Sequence, residues 1–232
     1  MKLYSAWYCP FAQRAWLALL VKKVSFEYVE IDPYLKTNRW MDISRNTGQV
    51  PVITVPGQHS IVDSTRIIEF CDQIQPSEPS LFSIDAFINA EQKYWIEHIN
   101  KRIIPYFYRY LKFSDDRVDT AADKRRLING LLEFAQAIDH RGPFFNGEHI
   151  SAVDIALIPF AYRINLLLQY YRDFKLPEDS VVWRKYRQWY QANIATSSFL
   201  QSTVLKDNYQ QQLIDFYLPY SQGGGQQDVT QL

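Results

Sequence analysis

The residue pair with the clearest chemical potential in this sequence is Cys9 followed by Pro10. The pattern of residues 2–5 predicts a strand, and proline suits the first position of a helix, so we expect Cys9 at a strand-to-helix junction. Unpaired backbone N–H groups and the positive end of the helix dipole favour a thiolate there, which predicts a lowered pKa for the Cys9 thiol. The alternative is a buried structural thiol, since most buried cysteines are inert.

The third position after Cys9 holds Ala12 and not a second cysteine. A mixed disulfide on Cys9 would therefore lack a neighbouring thiol to resolve it, which implies an external thiol such as glutathione as co-substrate. The other cysteine, Cys71, lies among apolar residues in a predicted helix, and we expect it to be structural.

Two further residue pairs suit a ligand that carries both a peptide backbone and a thiol. Val50 and Pro51 stand at the start of a predicted strand, where a cis bond would leave the Val50 backbone free to pair with a ligand. Asp63 and Ser64 stand at the start of a predicted helix, where Ser64 and free N–H groups suit a carboxylate and Asp63 suits an ammonium group. The alternatives are an ordinary trans proline and simple helix capping.

Other kinds of chemistry have little support in the sequence. His59, His98, His140 and His149 lack metal-ligand spacing, and no glycine-rich phosphate loop is present, so we expect no metal site. The 25 basic and 25 acidic residues cancel, which leaves no overall field to attract nucleic acid or an anionic membrane. We expect neither as a partner.

Composition indicates a folded protein of a reducing compartment. Hydrophobic residues make up 47% of the 232 residues, which is too high for a disordered chain. No apolar run reaches the roughly 20 residues of a membrane span, and the N-terminus does not resemble a signal peptide. Two cysteines and the absence of an Asn-x-Ser/Thr sequon favour the cytoplasm.

The first 75 residues alternate between strand and helix signals. Strands are predicted over 2–5, 24–31, 51–55 and 59–62, and helices over 10–23, 37–44 and 64–74. The helical crossover makes the first two strands parallel, and Pro56-Gly57-Gln58 predicts a hairpin between the last two. This order describes a small mixed sheet with helices on both faces.

A linker and an all-helical domain follow the sheet. Prolines and serines predict a linker over 76–83, a helical domain over 84–221 and a glycine-containing tail over 222–232. Helical periodicity covers 85–112, 118–140, 152–171 and 181–205. Ser151 and Asp154 have the spacing of a capping box. The fold class is therefore α/β plus all-α.

Three motifs together resemble the glutathione transferase family. They are Cys9-Pro-Phe-Ala-Gln-Arg14, Val50-Pro-Val-Ile53 and Asp63-Ser64, and the Cys-Pro-Phe-Ala form resembles the omega class. The resemblance covers the whole chain and implies a thioredoxin-like domain, a helical-bundle domain and a homodimer. It also implies residue roles, with Cys9 as the catalytic nucleophile. A glutathione site is implied for Phe11, Lys36, Val50, Pro51, Asp63 and Ser64, with Asp63 standing where the omega class usually has Glu.

A pocket for the second substrate is expected between the two domains. The residues expected to supply it are aromatic or cationic: Tyr106, Phe107, Tyr108, Tyr110, Arg163, Tyr209 and Tyr217. Arg163 lies nine residues after Asp154, as an active-site arginine does in omega proteins. The alternative is that these side chains are core and rim between helices, since tyrosines are often buried with one polar end satisfied.

The leading hypothesis is a glutathione-dependent thiol transferase and reductase that works through a Cys9 mixed disulfide. The resemblance implies thiol transfer and dehydroascorbate reduction as reactions, with glutathione as co-substrate and a small electrophile or disulfide as partner. Glutathione conjugation to aromatic electrophiles is one alternative. A noncatalytic binding or regulatory protein that keeps the transferase fold is the other.

Overall fold

The computed structural model describes residues 1–76, 79–112, 120–177 and 180–224 of the chain. Its first seven elements alternate as the sequence predicts. They are β1 (Lys2–Ser5), α1 (Pro10–Val21), β2 (Glu27–Glu30), α2 (Asn38–Ile43), β3 (Val52–Thr54), β4 (Ile61–Val62) and α3 (Ser64–Ile74).

The four strands form one mixed sheet in the order β2-β1-β3-β4. β1 pairs with β2 in parallel, whereas β3 pairs antiparallel with both β1 and β4. Leu3 is aligned with Ile53 across the β1–β3 pair, and both side chains are fully buried. The predicted crossover and hairpin are thereby confirmed.

The named elements of the rest of the described chain are all helices. Its helices are α4 (Ala86–His98), α5 (Ile104–Leu111), α6 (Thr120–Ala137), α7 (Ala152–Arg163), α8 (Gln169–Arg172), α9 (Val181–Ile194), α10 (Ser197–Gln201) and α11 (Tyr209–Ser221). Short π-helical segments, Ile99–Ile103 and Ile164–Leu168, join α4 to α5 and α7 to α8. The predicted α/β plus all-α class is confirmed, and α11 is a helix that the periodicity does not predict.

The predicted boundaries differ from the observed ones in a few places. The helix predicted over 10–23 ends at Val21, because Lys23 adopts a left-handed backbone conformation with φ +53°. The strand predicted over 24–31 is reduced to β2. Of the predicted linker and tail, residues 77–78 and 225–232 lie outside the described residues. The domain limits at 75, 84 and 221 stay a prediction.

α7 is the central helix of the helical part. Ser151 and Asp154 form the predicted capping box at its start. The continuous helix Ala152–Arg172 is long and apolar enough to pass a test for a membrane span, but 78% of its most apolar stretch is buried inside the protein. Such burial is that of a core helix.

Polar side chains of α1 tie the sheet to the helical part. Arg14 is buried, and its Nε donates to the carbonyl oxygen of Ala156 at 2.7 Å. Gln13 is buried as well, and its Nε2 donates to Ser202 Oγ at 2.9 Å. Because both residues lie in the first turns of α1, these contacts fix the end of the helix that carries Cys9.

We predict that Asp154→Ala lowers the free energy of unfolding by about 3–5 kcal/mol, because buried donors lose their acceptor. Asp154 accepts from the N–H groups of Phe145 and Ser151, both at 2.8 Å, and from Trp189 Nε1 at 2.6 Å. Urea unfolding measures the change. Asp85→Ala, which removes an exposed cap, is the control and should cost about 1 kcal/mol; equal losses for the two variants would contradict the prediction.

Candidate functional site

Cys9 lies in the turn between β1 and α1 and is the N-cap residue of α1. Its backbone is extended, with φ −79° and ψ 117°, and Pro10 begins the helix. The Cys9 carbonyl accepts from the N–H of Gln13 at 3.0 Å, which is the first bond of the helix. The thiol is partly exposed and accepts no capping hydrogen bond from the first turn of α1. The predicted strand-to-helix junction is confirmed.

A cleft of about 380 Å³ opens beside Cys9. The structure brings together on its walls six residues that the sequence assigns to the nucleophile and the glutathione site: Cys9, Phe11, Val50, Pro51, Asp63 and Ser64. Tyr108 of α5 and Tyr217 of α11 belong to the same walls, so the cleft lies between the sheet and the helical part.

The sheet topology explains why two distant sequence motifs meet in this cleft. β3 begins just after Pro51, and β4 ends just before Asp63. The two strands are antiparallel, with Val52 aligned with Val62, so the start of one lies beside the end of the other. The Val50–Pro51 peptide bond is cis, which is one of the two alternatives that the sequence left open.

Asp63 caps α3 while it lines the cleft. Its Oδ1 accepts from the N–H groups of Thr65 at 2.9 Å and Arg66 at 3.2 Å. Oδ2 makes no hydrogen bond to any residue that the structure describes, and the side chain is exposed. The capping alternative is therefore observed, and one carboxylate oxygen is left for a ligand. Ser64, the first residue of α3, is buried beside it.

Lys36 stands behind the cleft wall and not on it. Its Nζ donates to the carbonyl oxygen of Gly48 at 2.7 Å, and Gly48 lines the cleft. A Cβ at Gly48 would lie 2.7 Å from the Lys36 ammonium, and Gly48 has φ +61°, so the position favours glycine. Lys36 thus supports the loop that forms this edge.

Several residues that line the cleft are not among those assigned to the site from the sequence. They are Tyr8, Pro10, Pro33, Tyr34, Thr47, Gly48, Gln49, Val62 and Arg66. Most lie in loops next to assigned residues, so the sequence signal that could have indicated them is their proximity to Cys9, Val50 and Asp63.

Arg163 is fully buried behind the Cys9 turn. Its NH2 donates to the carbonyl oxygen of Tyr8 at 2.9 Å and to the Tyr209 hydroxyl at 3.0 Å, and its NH1 donates to Gln13 Oε1 at 2.7 Å. The structure therefore places Arg163 and Tyr209 in a network that supports Cys9, and not on the cleft wall.

Three other predicted second-substrate residues lie away from Cys9. Phe107 is fully buried in the helical core, and Tyr110 packs edge-on against Phe174 with ring centroids 5.9 Å apart. Tyr106 packs beside the guanidinium groups of Arg109 and Arg126. The structure brings only Tyr108 and Tyr217 of the predicted aromatic group to the cleft.

Within the described ranges, no cluster of three or more His, Cys, Asp or Glu side chains could hold a metal ion.

Comparison with known proteins places the chain in a family. The family model "Glutathione S-transferase, N-terminal domain" matches residues 3–79, and "Glutathione S-transferase, C-terminal domain" matches residues 116–192. Glutathione S-transferase DHAR2 of Arabidopsis thaliana is 31% identical over 179 residues, which are 77% of each chain. The chain belongs to the glutathione S-transferase family.

Other relatives indicate which branch of the glutathione S-transferases it resembles. A rice protein (Oryza sativa subsp. japonica) described as probable glutathione S-transferase DHAR1, cytosolic, is 28% identical over 200 residues, or 86% of each chain. The crystal structure of glutathione transferase Omega 3C from Trametes versicolor superposes with a TM-score of 0.78 at 29% identity, covering 94% of this chain and 89% of the other. This glutathione S-transferase is omega-like, as its motifs predict.

The pKa of Cys9 in this glutathione S-transferase is controlled mainly by burial. Loss of water around the thiol raises the pKa, whereas the N–H of Ala12, the charge of Arg163, the N–H of Phe11 and the charge of Arg14 lower it. Burial outweighs the other effects, and the pKa is raised above that of an ordinary cysteine. The lowered pKa predicted from the sequence is therefore wrong, because the helix-terminus argument leaves out desolvation.

We predict that alkylation of Cys9 by iodoacetamide is slow at pH 7 and rises with a midpoint above about pH 8.5, the ordinary cysteine value. The raised pKa keeps the thiol protonated at neutral pH, and only the thiolate reacts. Rates are measured by intact mass in Cys71→Ser, which leaves Cys9 as the single thiol. A midpoint below that of free cysteine would contradict the prediction.

Proposed function

We propose that this glutathione S-transferase is a glutathione-dependent thiol transferase and reductase that works through a mixed disulfide on Cys9. The observation that carries the proposal is a single cysteine on the wall of the cleft, at the start of α1, with Ala12 one turn on. Cys71 is fully buried in α3, and its pKa is raised to about 12 by burial, so it is not a resolving thiol. An external thiol must complete the reaction.

The cleft offers a partner to each part of glutathione. The Val50 backbone suits the cysteinyl backbone, while Asp63 Oδ2 suits the γ-glutamyl ammonium and Ser64 with the start of α3 suits its carboxylate. Phe11 and Pro51 supply apolar walls. We assign the glycine carboxylate to the edge supported by Lys36.

The reaction is then a pair of thiol–disulfide exchanges. The Cys9 thiolate attacks the glutathione sulfur of a mixed disulfide, the S–S bond breaks, and the substrate leaves as a thiolate that takes up a proton. A second glutathione thiolate attacks the glutathione sulfur now joined to Cys9. Glutathione disulfide leaves, and the Cys9 thiolate is regenerated. The curated relatives whose names carry DHAR support dehydroascorbate as a further substrate.

Conjugation of glutathione to an electrophile is the second candidate. The observation that favours it is the raised pKa of Cys9, which reduces the thiolate available for disulfide exchange at neutral pH. In that reaction the sulfur of glutathione is the nucleophile, and Cys9 would only hydrogen-bond to it.

We propose the cytoplasm as the location and a homodimer as the assembly. The rice relative's name includes cytosolic, whereas other relatives are named chloroplastic.

The homodimer is supported by apolar side chains exposed at the start of α4, where Ile84 is fully exposed and Phe87 is 86% exposed.

Cys9→Ser should reduce turnover of a glutathione mixed disulfide by about 100-fold or more, because a hydroxyl cannot form the mixed disulfide. Glutathione should still bind, and conjugation of an aromatic electrophile should appear or rise, because the serine hydroxyl can hydrogen-bond to the glutathione sulfur. Steady-state assays of both reactions test this, with Cys71→Ser as control. Full thiol-transfer activity in Cys9→Ser would refute the mechanism. If conjugation is the main activity of the wild-type protein and Cys9→Ser loses it, the second candidate is favoured.

Asp63→Asn should weaken glutathione binding by about 10-fold, because it removes the charge that pairs with the ligand ammonium. Asparagine preserves the cap of α3 and tolerates the Asp63 φ of +80°, so the fold is retained. Calorimetric titration with glutathione measures the affinity. Asp85→Asn is the matched control, since Asp85 caps α4 through the same pair of N–H bonds and does not line the cleft. Unchanged affinity in Asp63→Asn would remove Asp63 from the site.

A further inference from the structure

A second groove lies in the helical part of the chain, apart from the cleft beside Cys9. Its volume is about 790 Å³, which is within the range of small-molecule sites. It is lined by the continuous helix that contains α7, by α9, by the segment between α8 and α9, and by Gln210 at the start of α11. None of the described residues that line this groove lines the cleft, so the proposed function leaves the groove without a role.

Tyr186 of α9 supplies an unpaired polar group to the groove. The residue lines the groove, and its side chain is buried, with 1% exposed. Its hydroxyl has no hydrogen-bond partner among the residues that the structure describes. Buried hydroxyl groups normally have a partner, and burial raises the pKa of Tyr186, which keeps the hydroxyl protonated. A ligand with an acceptor oxygen supplies that partner.

The other uncharged polar side chains of the groove are amides. They are Asn165, Gln169, Gln191 and Gln210. Each amide carries both a donor and an acceptor, so it matches a ligand that presents the same pair, as a carboxamide does. The rings of Tyr162, Phe174 and Tyr190 line the same groove and suit an aromatic ring. The lining therefore favours an aromatic amide.

The charged side chains of the groove do not favour an anion. Lys175 and Arg187 are its cations, and the lining residues that the structure describes include no carboxylate. Lys175 Nζ lies 3.8 Å from Asp173 Oδ1 in an exposed ion pair, and Arg187 NH1 donates to the carbonyl oxygen of Pro177 at 3.1 Å. Because both cations already have oxygen partners, recognition falls to the amides and an uncharged ligand is favoured.

A chain of contacts connects the groove to the turn that carries Cys9. Tyr162 lines the groove, and its ring stacks on that of Tyr209 with centroids 6.1 Å apart and 30° between the planes. The Tyr209 hydroxyl accepts from Arg163 NH2 at 3.0 Å, and the same nitrogen donates to the carbonyl oxygen of Tyr8 at 2.9 Å. Tyr8 directly precedes Cys9. A ligand ring packed on Tyr162 therefore acts on the contacts that hold this turn.

One side of the groove is formed by a π-helical segment. Ile164–Leu168 begins directly after Arg163 and contributes Asn165 and Leu166 to the groove. Such turns are rare and are found frequently at functional sites. Because the segment and Arg163 are consecutive in one helix, a change in its winding is transmitted to Arg163.

We propose that this groove binds a small, uncharged aromatic amide and that the bound molecule slows the reaction of the Cys9 thiol through Arg163. The carbonyl oxygen of the ligand accepts from Tyr186, its amide pairs with the side-chain amides, and its ring packs on Tyr162. A ring in this position favours the arrangement in which Arg163 holds the turn, and access to Cys9 is restricted. Such control acts on the thiol itself, whichever reaction Cys9 performs.

Calorimetric titration with 4-methoxybenzamide tests the binding, and 4-methoxybenzoate is its charged counterpart. We expect the amide to bind the wild-type protein more tightly than the carboxylate. Tyr186→Phe should weaken binding of the amide by about fivefold or more, because it removes the donor. The variant should fold, since the hydroxyl that it removes has no partner among the described residues. Tyr94→Phe, on the exposed face of α4, is the matched control and should bind as the wild-type protein does.

The alkylation rate of Cys9 by iodoacetamide, measured in Cys71→Ser, tests the effect on the thiol. Saturating 4-methoxybenzamide should lower this rate by about fivefold. Tyr209→Phe keeps the ring that stacks on Tyr162 and removes the hydroxyl that bonds to Arg163. In the Cys71→Ser background it should bind the amide with unchanged affinity and show a smaller effect on the rate.

The outcomes are distinct from those that test the proposed function. Absence of amide binding, tighter binding of the carboxylate, or equal affinity of the wild-type protein and Tyr186→Phe for the amide would overturn the site. Binding without a fall in the alkylation rate, or an equal fall in Tyr209→Phe, would overturn the control of Cys9 through Arg163. None of these measurements requires thiol transfer, so a failure of the proposed function would leave their result intact.

Discussion

The buried guanidinium group of Arg163 is the interaction on which the geometry of the site depends. It joins the carbonyl oxygen of Tyr8, the side chain of Gln13 and the hydroxyl of Tyr209, so it connects the turn before Cys9 to α1 and α11. A buried cation without a carboxylate partner is costly unless its donors are used; here both terminal nitrogens are bonded, while Nε has no hydrogen-bond partner among the described residues. This requirement holds the reactive turn against the helical part.

In the same arrangement, burial and nearby positive charge have opposite effects on the pKa values of Cys9 and Tyr217. Enclosing Cys9 between the sheet and the helices removes water from the thiol and raises its pKa, whereas the charge of Arg163 and the start of α1 lower it. Tyr217 is subject to the same opposition, and burial prevails there too. The cleft therefore favours the protonated forms of both groups.

The elements that sequence reasoning predicts well are those decided by neighbouring residues. The order of strands and helices up to Ile74 and the capping box at Ser151 follow from local preferences, whereas the cis bond before Pro51 does not, because local preference favours trans. The sequence pattern did not predict α11, because Gln210–Gln212 and Pro219 interrupt its apolar periodicity. The helix is stabilised by packing on distant residues, such as the stacking of Phe216 on Tyr8.

The sequence by itself determined where the proposed nucleophile and the proposed ligand-binding carboxylate stand, because Cys9 and Asp63 are helix caps and capping is a short-range property. Tertiary structure alone decided which aromatic residues face them. Phe107 and Tyr108 are adjacent on one helix, yet packing directs the first into the core and the second into the cleft. It also decided the direction of the Cys9 pKa, since desolvation depends on everything that surrounds the thiol and not on the residues next to it in sequence.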